Sequence, residues 1–258
     1  DTPLTHMVNQ LYDELKQRQI SFRPHCWLSE EWFSPDSTPG IAIPFYLAHP
    51  RLARLEARQV YAVEGGTDRL CMQLLRHEAG HAICTAYQLY RRKQFKQLFG
   101  RFNKPYPDHY RPNPNSKNYV MHLDWWYAQS HPAEDFAETF SVWLKPRSSW
   151  RKVYSDWPAI KKLEYMDELM GSIMNRTPIN RHRFFIDPIS SIHKTLREHY
   201  QQKRSRYGVN IPHVYDSELI MLFKGEGNEN SGRRSAATFL RKYQAELCDA
   251  CARGTGLY

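Results

Sequence analysis

His77-Glu78-Ala79-Gly80-His81 places two imidazoles four residues apart with a carboxylate between them. On a helix, residues four apart lie one above the other on the same face, so both rings can reach a single ion. Two neutral imidazoles suit Zn²⁺, and zinc lowers the pKa of a bound water to about 7. Glu78 is then placed to take a proton from that water as it attacks a carbonyl. The chemistry expected is hydrolysis supported by one catalytic zinc ion. The plain alternative is a core helix with two hydrogen-bonded histidines, but two histidines and a glutamate are costly to bury without partners.

The elements around the motif favour the first reading. Leu70, Cys71, Leu74, Leu75, Ala79, Ala82, Ile83 and Ala86 form a broad apolar surface at helical spacing. Glu64-Gly65-Gly66 punctuates the chain before it, and Thr67 or Asp68 can cap the helix. The helix is expected to run on to about Phe99 and stop at Gly100. Upstream, residues 41–47 and 59–63 are strand candidates, and an exposed edge strand there could hold an extended peptide. Helices are expected at 4–19, 132–144, 159–170, 191–205 and 236–252, with loops at 105–118 and 224–234. The balance is α+β, helix-dominated, with a small sheet beside the HExxH helix and a helical C-terminal part. The organisation expected is an N-terminal helix (1–21), a core (22–175) and a helical extension (176–258).

Zinc catalysis needs a third protein ligand and an open fourth position. The HExxHxxGxxH continuation is excluded, because Cys84 and Tyr87 stand in its places. The segment His131-Pro132-Ala133-Glu134-Asp135-Phe136-Ala137-Glu138-Thr139-Phe140 is the best source. Glu134 and Glu138 share one helix face, so one can bind the metal while the other orients a ligand histidine. Asp135 points about 100° away from Glu134. His122, Asp124 and His131 are rival ligands.

The combination resembles the gluzincin-type zincin metallopeptidases, which pair HExxH with a distal glutamate. More closely, it resembles the bacterial putative zinc-binding metallopeptidase family. The resemblance rests on Trp32-Phe33 through Pro39-Gly40-Ile41, on Phe45-Tyr46-Leu47-Ala48-His49-Pro50-Arg51-Leu52, on RHEAGHA, and on HPAEDFAETF with Leu163-Glu164-Tyr165-Met166-Asp167-Glu168-Leu169. It spans roughly residues 22–170. HPAEDFAETF is also similar to the metal-binding helix of the anthrax lethal factor protease domain. These resemblances imply a zincin-like fold, with His77, His81 and Glu134 on the metal and Glu138 behind them. They also imply that Tyr127 assists at the transition state, against the plain reading of an aromatic packing residue beside Trp125 and Trp126.

Composition bounds the rest. The chain has 258 residues, with 41% hydrophobic and 14% aromatic content, as in a folded protein. No stretch has the roughly 20 apolar residues of a membrane span, and no signal peptide is visible. Because the chain opens on Asp1 in place of methionine, that absence says little about export. Five sparse cysteines suggest a reducing, cytoplasmic setting. Cys71 and Cys84 read as buried residues of the HExxH helix, and the lone Cys248/Cys251 CxxC as two incidental thiols on a terminal helix. Net charge is +9, with a local run through Arg91, Arg92, Lys93, Lys96, Arg101 and Lys104. This points mildly to an acidic peptide or protein substrate, and no motif signals specific nucleic-acid binding. The function expected is a zinc metallopeptidase. Two other classes share its features: a zinc amidohydrolase acting on a non-protein amide, and a non-catalytic binding module on the same scaffold. Glu78 argues against the last, since a structural site gains nothing from a general base.

Overall fold

The computed structural model describes residues 2–107, 110–206, 219, 221–223 and 235–255. Its centre is helix α3 (Asp68–Tyr87), which carries the HExxH motif. The Thr67 side chain caps its start by accepting from the Leu70 N–H. The helix is buried along most of its length, as expected of an element packed on several sides. Helix α1 (Pro3–Gln17) covers one side with Met7, Leu11 and Leu15. Helix α5 (Pro132–Leu144) covers another. It begins where expected, with Pro132 in its first turn and the His131 ring accepting from the Ala133 N–H.

The crossing of α3 and α5 depends on Gly80. A Cβ at this position would lie 2.9 Å from the Ala137 Cα and 3.2 Å from the Ala137 carbonyl oxygen. Only glycine lets the two backbones approach this closely, and the approach brings α5 carboxylates to the α3 histidines. Two buried ion pairs brace the frame. Arg76 on α3 makes a two-pronged bond to Glu14 on α1, at 2.7 and 2.8 Å. Lys162 on α7 (Ile160–Ile173) reaches Asp135 on α5 at 2.6 Å.

Several expectations are corrected. The sheet has two parallel strands, β1 (His25–Ser29) and β2 (Gly40–Pro44), with His25 opposite Gly40. Strand β2 is shorter than the expected 41–47, because the chain turns into a 3-10 helix at Phe45–Ala48. It is buried throughout and bridged by Phe33 on its other side, so it offers no free edge. The second strand candidate, 59–63, is not a strand. Its first two residues, Gln59 and Val60, end helix α2 (Pro50–Val60), which is started by Pro50 and capped by the His49 ring, and Tyr61 follows in a left-handed conformation. The buried Glu56 of α2 pairs with Lys203 of α8 (Leu196–Arg206) at 2.7 Å, a partner 147 residues away. The HExxH helix also ends earlier than expected, at Gln88 in a left-handed conformation (φ 51°). A 3-10 turn (Leu89–Arg91) and the short α4 (Lys93–Leu98) then lead to Gly100 at φ 100°.

The C-terminal helix expected at 236–252 is two helices, Ala236–Lys242 and Gln244–Thr255. The expected loop at 224–234 lies outside the described residues. The segment leading to α8 runs along β1 and the turn before β2. Its carbonyls accept from Trp27 Nε1 (Ile186, 2.9 Å), Ser29 Oγ (Asp187, 2.7 Å) and Thr38 Oγ1 (His182, 2.8 Å). Cys71 and Cys84 are buried on α3 and Cys248 and Cys251 are exposed, all with free thiols. Arg91, Arg92, Lys93 and Lys96 lie in solvent. No described helix is long and apolar enough to cross a membrane.

Candidate metal centre

Residues four apart on α3 present His77 and His81 to the same side, and the tight α3–α5 crossing supplies Glu134. His77 Nε2 and Glu134 Oε2 are 2.9 Å apart, His81 Nε2 and Glu134 Oε2 3.2 Å, and the two Nε2 atoms 3.1 Å. Among the described residues these three form the group able to hold a metal ion. Ligand atoms on a tetrahedron at zinc-like bond lengths of about 2.0–2.1 Å sit roughly 3.3 Å apart. The donor set, two imidazoles and one carboxylate, and its spacing both fit a zinc ion.

The ring of His77 is held from behind. Its Nδ1 donates to Glu138 Oε1 at 2.9 Å, which directs Nε2 toward the site. Glu138 is fully buried, and its Oε2 accepts from the backbone N–H groups of His122 and Leu123, at 3.2 and 2.8 Å. Burial alone would lower the His77 pKa, but hydrogen bonds to Glu134 and Glu138 and their charges raise it well above the ordinary value. Burial alone would raise the Glu134 pKa, but His81 and His77 hold it well below the carboxylate range.

Glu78 faces a cleft of about 440 Å³ beside His77. It is only 7% exposed and has no hydrogen-bond partner among the described residues. Burial pushes its pKa up, and the nearby Glu134 charge adds to this, against the lowering effect of His77 and His81. Tyr127, in a 3-10 turn just before α5, lines the same cleft, its ring centroid 5.7 Å from that of His77. Burial, then the charges of Glu134 and Glu78, raise its pKa, so the hydroxyl keeps its proton at neutral pH.

The rival ligands are engaged elsewhere. His131 uses Nδ1 to cap α5 and donates from Nε2 to the Lys104 carbonyl at 2.6 Å. His122 Nε2 donates to the Gln73 carbonyl at 2.9 Å. Asp124 sits exposed on the cleft wall, apart from the three-residue group. Asp135 faces away, toward Lys162, and burial pushes its pKa up to about 7 despite that partner. The cleft also carries Glu31 and Glu64, and its Lys203 is ion-paired to Glu56. The expected preference for acidic substrates finds no support in this lining.

One residue at the site was not anticipated. The Tyr106 hydroxyl donates to Glu134 Oε1 at 2.6 Å. Tyr106 lies in a proline-rich loop with no periodicity to give its direction, and only the fold brings it to α5.

Two histidines from one helix and a carboxylate from a second, with a buried glutamate beside them, form a group of residues that could hold a metal ion. Residues 64–155 match a family model described as putative zinc-binding metallo-peptidase. The match takes in α3, α5, Tyr106 and Tyr127, and lies inside the 22–170 stretch that carries the sequence resemblance. No curated protein and no solved structure matches the chain.

Proposed function

We propose that the chain is a zinc-dependent metallopeptidase of gluzincin type, with 22–175 as a zincin-like catalytic core and 1–21 and 176–258 as extensions. The observation that carries the reading is the convergence of His77, His81 and Glu134 beside a buried Glu78 that has no hydrogen-bond partner among the described residues. The match to a zinc-binding metallo-peptidase family supports it. So does the similarity of HPAEDFAETF to the lethal factor metal-binding helix.

His77, His81 and Glu134 would hold the ion, and Glu138 keeps the His77 ring oriented toward it. Zinc, when bound, supplies a Lewis acid that polarises the substrate carbonyl and makes water a nucleophile at neutral pH. Glu78 takes the proton from the attacking water and delivers it to the leaving nitrogen. Tyr127 donates to the carbonyl oxygen as negative charge grows there.

Glu78→Gln tests the assignment. The variant should bind about one zinc ion per chain, as the wild type does, yet lose roughly 10²–10⁴-fold in peptide hydrolysis. A Glu78→Gln protein with full activity would refute it.

A further inference from the structure

Glu134 has two oxygens with separate engagements. Oε2 faces His77 and His81, while Oε1 accepts from the Tyr106 hydroxyl at 2.6 Å. The Tyr106 ring lies flat on His131, with centroids 3.8 Å apart and planes 16° from parallel. His131 is fixed at both nitrogens, to the Ala133 N–H at the start of α5 and to the Lys104 carbonyl at 2.6 Å. It therefore ties the loop that carries Tyr106 to the helix that carries Glu134. Tyr106 is 58% exposed, so this contact adds little to the core, yet its hydroxyl points inward onto a carboxylate.

The last torsion of a glutamate is broad and roughly two-fold, so packing alone fixes a carboxylate poorly. A short hydrogen bond to one oxygen selects one orientation. We propose that Tyr106 is a positioning residue for the metal centre, holding Glu134 Oε1 so that Oε2 alone is presented with the two histidines. The inference rests on Glu134 being a zinc ligand. His131, whose chemistry resembles that of a ligand, serves as the platform for this contact.

The test uses the full chain with Tyr106→Phe, which keeps the ring on His131 and removes only the hydroxyl. Tyr110→Phe is the control, since that hydroxyl donates to the Trp125 carbonyl at 3.0 Å. Zinc affinity is read by competition with a chromophoric chelator, and ligand arrangement by the visible spectrum of the cobalt(II)-loaded protein. Tyr106→Phe should bind zinc about 10–100-fold more weakly and shift the cobalt bands, with Tyr110→Phe matching the wild type on both counts. Wild-type zinc affinity and cobalt spectrum in Tyr106→Phe would overturn the role of Tyr106 while leaving the zinc site standing. A wild-type protein that binds no zinc would overturn both.

Discussion

Two sets of buried charges sit on the same pair of helices and differ in one respect. Arg76 precedes His77 in sequence and Asp135 follows Glu134, so each neighbour points about 100° away from the metal centre. On those outward faces the charges are paired: Arg76 to both oxygens of Glu14 and Lys162 to Asp135 Oδ2, each within 2.8 Å, with Asp135 Oδ1 left without a hydrogen-bond partner among the described residues. On the inward face, two histidines and a carboxylate crowd together, and Glu78 has no hydrogen-bond partner among the described residues. Closed pairs fasten helices to their neighbours. The open set is the one that could hold an ion.

The largest effect should come from breaking a closed pair. Arg76→Met leaves the Glu14 carboxylate buried and unmatched, and should cost about 3–5 kcal/mol in denaturant unfolding. Glu14→Leu combined with Arg76→Met should recover most of that loss, because a well-packed apolar pair replaces buried ions at little net cost. A double variant as unstable as the single one would show that the pair does more than fasten α1 to α3.

The crossing that joins the two faces comes next. Gly80→Ala must push its Cβ against the α5 backbone at Ala137, so the helices have to separate. We expect a loss of about 1–3 kcal/mol in thermal or denaturant unfolding, as for other overpacked contacts. Zinc affinity should fall with it, since Glu134 moves away from the histidines. Unchanged affinity would mean that the site tolerates a looser crossing.

Within the open set, Glu138→Gln keeps the shape but removes the charge behind His77. Zinc binding should weaken about 10–100-fold by chelator competition. A variant with wild-type affinity would separate Glu138 from the metal site.

The smallest effect belongs to a half-exposed cluster outside both sets. Burial alone would raise the Glu30 pKa, but hydrogen bonds from Lys194 and His199 hold it below its ordinary value. The carboxylate therefore contributes stability above its unfolded pKa, and this is lost as pH falls through the folded value. Unfolding midpoints of Glu30→Gln and wild type should differ slightly at neutral pH and converge in acid. A constant gap would remove the carboxylate's charge from the explanation.

Much of this comparison was legible in the sequence, because it follows helical spacing. The His77/His81 pair and the Glu134/Glu138 pair needed only 3.6 residues per turn, and Thr67 and Pro132 marked where their helices start. What escaped depended on distant partners. The Gln59-Val60-Tyr61-Ala62-Val63 run looked like a strand by its β-branched and aromatic content, yet its first residues complete a helix fastened through Glu56 to Lys203. Strand β1 is five residues, too short for alternation to register among the prolines and aromatics around it. Gln88 ends α3 without the glycine that usually announces such a stop. Tyr106 reached the site only through the path of its loop.

The segment along β1 has a consequence for how this chain can drift. Trp27, Ser29 and Thr38 hold it through its main-chain carbonyls at Ile186, Asp187 and His182. Those acceptors exist whatever the side chains are. Arg183 and Phe184, both exposed, should therefore accept many substitutions at little cost, whereas Phe185 packs on His25 and Trp27 and Asp187 holds a left-handed backbone (φ 46°). The three donors cannot be exchanged so freely, and the record of mutation in this part of the molecule should be lopsided, permissive on the carbonyl side and restricted on the side that grips it.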